Sequence, residues 1–523
     1  MSAIITDQLR ISRASQFVSA ASSTTYYSFI GLSNPTDYQD NWDESPPAPR
    51  DSFEQENDYW DTMVSLKKIY PSDVKQVIRK ITWESGTTYD MYRHDISRTN
   101  LARPSGATSL YSSNYYVVNS NYQVYICIHN GTTPNNPNGV PSQIEPTFVD
   151  LEPRILDDGY SWKYLFSLSA EEIIKFNSTN FVPVPSNWGE AEPTFSIKNN
   201  TTTSGQIKNI VITNRGNYSN IPNIRNTVFN NVPIKGDGTG AIVSITINNN
   251  SQVESVFVVN GGSGYTYGRL DLVAGGLPTG TITPTFDVII PPKGGHGYDI
   301  YRELGAFYVA LYSRIENDEE NPDFITGNQI ARIGVVENPE KYTSPSVLTD
   351  DKVSAVSALK LVGITNPDDY QNATFTADSI ITQIVGTGVT AVARVVSYDQ
   401  RTGVLKYWQD KTLYGFTVDG LQQNSTYGFD LTEFTSTPTT GGSLSIFGGS
   451  ITLNIDNNFG TISNPGISTV INNRTYKLGQ SFIEGISNPE VKKHSGNIIY
   501  VDNRPAITRS QNQKEDIKII IQF

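Results

Sequence analysis

The sequence predicts a mainly β protein, with a β-sandwich core, small helical excursions and α+β character at its margins, and two inserted β-rich modules. Three observations carry that expectation. Tyrosine is abundant, at 29 residues against three methionines, and aromatic and β-branched side chains suit a pleated, half-buried surface whereas Met is a flexible gap filler. Charged residues make up only 17% of the chain, so water-facing positions must be filled by Ser, Thr, Asn and Gln. Long stretches alternate apolar with small polar residues, the period of a strand with one buried face.

Taken in order, Tyr26–Gly31 reads as a strand, followed by a polar segment containing Pro46-Pro47-Ala48-Pro49. The spacing of Trp60, Met63, Val64 and Lys67 at i, i+3, i+4 and i+7 predicts a helix from Phe53 to about Tyr70, where Pro71 stops it. Tyr125-Ile126-Cys127-Ile128 reads as a strand with an inert, buried thiol. Ser169 with Glu172 three residues on forms a capping box, which predicts a short helix whose apolar stripe is Ile173, Ile174 and Phe176.

Residues 196–292 form the first β-rich module and contain an internal echo. Ile207–Asn214 leads through Gly216 to Tyr218, and Val253–Asn260 leads through Gly261-Gly262-Ser263-Gly264 to Tyr265. Between them, Gly236–Gly240 and Asn248-Asn249-Asn250 are turns that fold the intervening strand into hairpins. A weaker third echo, Gly386–Val395 turning at Asp399–Gly403 into Val404–Tyr407, marks a second module at 346–484. Phe307–Tyr312 and Gln329–Val336 read as core strands. The expected organisation is a discontinuous core of 1–195, 293–345 and 485–523, with both modules projecting from loop-like positions where insertions are tolerated.

Composition excludes several functions. The net charge is −13 with a pI near 4.9, and the basic clusters Lys67-Lys68 and Lys492-Lys493-His494 are too small to reverse that field, so nucleic acid is not an expected partner. Cys127 is the only cysteine, which removes any intrachain disulfide and any thiolate metal cage. Nothing approaches the roughly 18 apolar residues of a membrane helix, and Met1–Asp7 lacks the features of a signal peptide, so assembly in the cytosol without membrane contact is expected.

The motifs of catalysis are also missing. Gly236–Gly240 precedes a strand, whereas a phosphate loop needs a helix N-terminus and a following Gly-Lys-Ser/Thr. His94, His129, His296 and His494 stand singly, without the i, i+4 spacing of zinc ligands. Asn454–Gly460 fails the EF-hand pattern, since Phe459 stands where glycine is required. Asp157-Asp158 and Asp318-Glu319-Glu320 are adjacent acids that point to opposite faces of an extended chain, so neither is a ready-made acid/base pair. No catalytic residue, metal site or cofactor is expected.

Two stretches are more specific. Asp157-Asp158-Gly159-Tyr160-Ser161-Trp162-Lys163-Tyr164-Leu165-Phe166 resembles a D-G-Y-x-W-x-Y-L-F segment, and His494-Ser495-Gly496-Asn497-Ile498-Ile499-Tyr500-Val501-Asp502-Asn503-Arg504-Pro505 resembles an H-S-G-x-x-I-Y-x-x-N-R-P ending, of the baseplate wedge protein of T-even-like contractile-tailed bacteriophages. Looser matches follow in the same order: Pro46–Ser52, Trp60 with Met63, Arg79–Trp83, Tyr89-Asp90 and Gln329–Pro339. The shorter family members lack both modules, and the enlarged form resembles those of cyanobacterial myoviruses. The resemblance implies a non-enzymatic virion protein in the tail baseplate. It further implies a homodimer within each wedge, packed against other wedge subunits and acting in assembly and tail contraction. The aromatic, Asn-rich β composition leaves open a carbohydrate-binding or depolymerising tail protein, and a calcium-dependent adhesin is a third class.

Overall fold

A computed structural model describes the chain except residues 1–3, 34–41, 201–202, 318–323, 364–365, 387–388, 414–416, 419–420, 425–427, 431–442, 447–451 and 511–512. The protein is mainly β, with 41% strand and 12% helix, and divides into two compact units. The first comprises Met1–Val18, Val74–Leu311 and Ile519–Phe523, and the second Ser19–Asp73 and Tyr312–Lys518.

In the first unit, Tyr116–Val118, Gln123–Asn130, Tyr160–Ser167 and Arg154–Ile155 form an antiparallel sheet in that order. Val74–Arg79 pairs with Tyr308–Leu311 on one side and Phe181–Pro183 on the other. A separate meander joins Val253–Ser263, Thr239–Ile247, Val228–Gly236 and Gly268–Leu270. The ribbon of Asn209–Asn214 with Thr285–Ile289 faces two cores at once, because successive side chains of a strand point to opposite faces. Val211 and Ile289 enter a cluster built on Tyr116, Tyr125 and Trp162, while Ile210 and Val288 enter one built on Val232, Val243 and Ile245. That second cluster draws only on residues between Ile207 and Ile290.

The internal echo is a repeated turn. Asn214 accepts a hydrogen bond from the Gly216 amide at 2.8 Å, and Asn260 accepts one from the Gly262 amide at 2.9 Å. Both glycines sit at positive φ, 64° and 61°, where a Cβ would clash. Tyr218 and Tyr265, which end the two copies, are both buried in the same cluster. Sequence alone gives the echo, and the fold places its two tyrosines in one core.

In the second unit, Lys352–Ser354, Met63–Ile69, Tyr26–Gly31, Gln329–Glu337 and Asn497–Thr508 make a five-stranded antiparallel sheet. All six residues of Tyr26–Gly31 are buried, since Tyr27 and Phe29 pack on one face and Ile30 on the other. A larger sheet is built on Ser357–Val362, Ile380–Gly386, Val389–Asp399 and Val404–Trp408, over a core that includes Leu359, Val395 and Leu405. Gly466–Ile471 and Arg474–Phe482 form a two-stranded hairpin.

The segment 53–70 corrects the sequence expectation. The helix ends at Thr62, and Met63–Ile69 is a strand. Ser52 caps the helix by accepting from the Gln55 amide at 3.3 Å. Beyond Thr62, the chain is hydrogen-bonded between Tyr26–Gly31 and Lys352–Ser354. Met63, Val64, Ser65 and Leu66 are all buried there, so burial on two faces overrides the helical spacing. Ala170–Phe176 is helical with the Ser169–Glu172 capping box, but Ile174 is exposed and Phe176 is the buried member of the predicted stripe.

Candidate functional site

The first motif stretch is buried within a packed cluster of the first unit, whereas the second runs along the edge strand of the five-stranded sheet of the second unit, with Ser495 buried and His494, Gly496, Arg504 and Pro505 exposed. In the first unit, Asp158 and Gly159 make the turn before the strand Tyr160–Ser167. The Asp158 carboxylate accepts from Ser142 Oγ at 3.1 Å, from the amides of Gln143 and Ile144 at 2.9 and 3.0 Å, and from the Tyr160 amide at 3.2 Å. Gly159 has φ 86°, the left-handed geometry that such a turn assigns to glycine. Tyr160 stacks on Trp162 with centroids 5.3 Å apart, donates its hydroxyl to the Val140 carbonyl at 2.7 Å and accepts from the Tyr89 amide at 3.0 Å. Trp83 Nε1 donates to Ser142 Oγ at 3.1 Å, while Asp90 accepts from the amides of Ser105 and Asn114. Tyr164 bonds Ser167 at 2.8 Å, Leu165 is fully buried, and Phe166 meets Trp188 edge-on.

In the second unit, the C-terminal motif converges with the loop and helix at 42–62. Arg332, only 2% exposed, donates Nε to Asn503 Oδ1 at 2.9 Å and Nη1 to the Asp58 carbonyl at 3.3 Å and to Thr62 Oγ1. Its guanidinium lies 4.8 Å from the Tyr59 ring centroid and 5.5 Å from that of Trp42, close enough for cation–π attraction. Asn503 also donates Nδ2 to the Pro47 carbonyl at 2.9 Å, and Trp42 Nε1 donates to the Arg504 carbonyl at 2.9 Å. Arg504 itself pairs with Asp502 at 2.6 Å, and Pro505 continues the same edge strand of the sheet. Upstream, His494 stands against Trp60 at 6.1 Å, and Ser495 Oγ accepts from the Glu340 amide at 2.9 Å. Gly496, at φ 72°, passes so close to Glu337 that a Cβ would lie 2.2 Å from its carbonyl oxygen. Tyr500 pairs with Val335 across the sheet.

Asn503 and the helix Phe53–Thr62 are thus joined by one side chain, Arg332, that sequence reasoning did not single out. Its signal was available, because Arg332 is a lone charge in the apolar run Ile330–Val336. A charge is rarely buried without specific partners.

The remaining candidates stay apart. His94 Nδ1 accepts from the Ile290 amide and His129 Nδ1 from the Gly131 amide, and burial lowers the pKa of both. His296 bonds the buried Glu303 carboxylate at 2.6 Å, beside a cavity of about 20 Å³, room for about one water. Asp158 is fully engaged in its turn, and Asp318-Glu319-Glu320 lies outside the described residues. Cys127 is buried in the strand Gln123–Asn130, and burial pushes its thiol pKa well up. Among the described residues, no three His, Cys, Asp or Glu side chains gather to hold a metal, and no helix is long and apolar enough to cross a membrane.

What the geometry offers at these stretches is a buried aromatic hub around Tyr160 and Trp162 and a second hub around the buried Arg332, and comparison with known proteins gives that a context. Residues 3–147 match the family model described as Phage-Gp8, bacteriophage T4 Gp8. No curated protein matches significantly. The matched segment is under a third of the chain, and it includes the proline-rich loop, the helix with Trp60, and the Arg79–Asp90 stretch. Both longer motifs lie beyond it. The match supports a baseplate structural role, with a place in the virion tail among other baseplate proteins, and suggests a non-enzyme.

Proposed function

We propose that the chain is a structural subunit of the wedge in a contractile-tail baseplate of a myovirus, working through extended contacts with other wedge subunits during assembly and contraction. The observation that carries this reading is the match of residues 3–147 to Gp8 of bacteriophage T4. In the same reading, Asp158–Phe166 and His494–Pro505 are the family's structural motifs. Their tight internal hydrogen bonding fits side chains selected to hold a scaffold rigid, because a subunit gripped by neighbours must keep its surfaces in fixed register. The chain works as a homodimer within each wedge, and the stretches 196–292 and 346–484 are outgrowths of a discontinuous core that enlarge or decorate the particle.

Coexpression with the remaining wedge proteins of the same virus tests the reading. Expected is a stable complex containing two copies of this chain, together with its presence in purified tails. Its absence from tails, or cleavage of host polysaccharide by the purified chain, refutes the proposal.

A further inference from the structure

The second unit contains a groove of about 750 Å³ that neither motif cluster uses, within the size range of ligand-binding clefts. One wall is the hairpin of Val389–Asp399 and Val404–Trp408, and another is the strand Arg474–Phe482. Its charge opposes that of the molecule. Arg401, Lys406, Lys477 and Arg509 line it against Asp399 alone, in a chain of net charge −13.

Those cations are not equally available. Arg509 is buried and committed, with Nε on Glu515 at 2.8 Å and Nη1 on the Phe324 and Ile325 carbonyls at 3.0 Å each, although its Nη2 has no partner. Arg401 shares Asp399 at 3.3 Å and lies 5.4 Å from the Tyr476 ring centroid, while Arg474 lies 5.3 Å from the same ring. Two guanidinium groups therefore fix one tyrosine at the groove's edge. Lys477 is exposed and has no ion-pair partner among the described residues.

The backbone adds a second feature. Arg474–Phe482 belongs to a two-stranded sheet, so among the described strands it has a ladder partner on one side only. A register shift also leaves Leu478–Ser481 outside that pairing. An edge strand is a template for another chain.

We propose that this groove binds an acidic, extended segment of a partner protein, its carboxylates on Lys477 and Arg401 and its main chain aligned along Arg474–Phe482. Charge complementarity selects the partner and the strand edge favours a polypeptide over a polysaccharide. The inference rests on the groove and not on the baseplate role, so its failure leaves that role standing.

The test is fluorescence anisotropy of the full chain with a labelled hexapeptide of alternating Glu and Val. Its Lys-Val counterpart and dextran sulfate serve as competitors. Expected is saturable binding of the acidic peptide that weakens at least about tenfold in Lys477→Glu and in Arg401→Glu, and is unchanged in Lys293→Glu, an exposed cation of the first unit. Should Arg401→Glu unfold through its Asp399 contact, Lys477→Ala, which breaks no pair, carries the test. No binding up to about 1 mM, binding indifferent to Lys477, or preference for dextran sulfate over the peptide overturns the proposal.

Discussion

Replacing Arg332 by alanine removes the side chain that joins the helix Phe53–Thr62 to the strand bearing Asn503. The wild-type guanidinium makes hydrogen bonds to Asn503, Asp58 and Thr62 and lies against Tyr59 and Trp42. Hydrogen bonds to a charged group contribute about 1.5 to 3 kcal/mol each and a desolvated cation–π contact up to about 2. These contributions are coupled, so they do not add. Breaking a buried charged network costs about 3 to 5 kcal/mol, and we take about 4 for Arg332→Ala. At about 2 to 4 °C per kcal/mol for a unit of this size, the melting temperature falls by about 8 to 16 °C. Urea unfolding followed by tryptophan fluorescence reads the loss directly. Arg332→Lys recovers little, because an ammonium cannot reproduce the planar fork. A loss below about 1 kcal/mol in Arg332→Ala, or full recovery by lysine, refutes the view that the guanidinium geometry organises this corner.

Three further outcomes follow from the same physics. Tyr160→Phe leaves the Val140 carbonyl and the Tyr89 amide without their hydroxyl partner, which costs about 1 to 3 kcal/mol by denaturant titration; no measurable change would show that water replaces it. Gly496→Ala puts a Cβ 2.2 Å from the Glu337 carbonyl oxygen at φ 72° and should cost at least about 3 kcal/mol, whereas Gly86→Ala, at φ 84° in open space, should cost about 1 to 2 kcal/mol; equal losses would remove the steric argument. Burial raises the pKa of Tyr26, Tyr111, Tyr301 and Tyr407 to about 12. A raised folded pKa means that the unfolded chain releases its phenolic protons first, so stability is complete below about pH 10 and is lost as pH climbs toward 12; a flat alkaline stability profile over that window would contradict the burial.

The β character, the strands at Tyr26–Gly31 and around Cys127, and the Ser169 capping box were legible because each depends on neighbours within a few residues. Alternation reports a half-buried strand, and a cap reports its own first turn. The boundary at Thr62 was not legible. Trp60, Met63, Val64 and Lys67 carry helical spacing, and only pairing with Tyr26–Gly31 and Lys352–Ser354 turns Met63–Ile69 into a strand. Among the candidate site residues, the motif members were visible as a pattern, yet nothing local said what they touch. Asn503 meets the Pro47 carbonyl from 456 positions away.

By itself the sequence determined a β-rich, acidic chain with one cysteine and four scattered histidines, and the two turn repeats ending in Tyr218 and Tyr265, because composition and short-range periodicity are properties of the chain before it folds. Only the tertiary structure decided that those tyrosines share one core, that Arg332 lies beneath the C-terminal motif, and that cations distant in sequence line one groove. Such arrangements depend on which strands pair and in what register, and these are settled by burial summed over the whole unit.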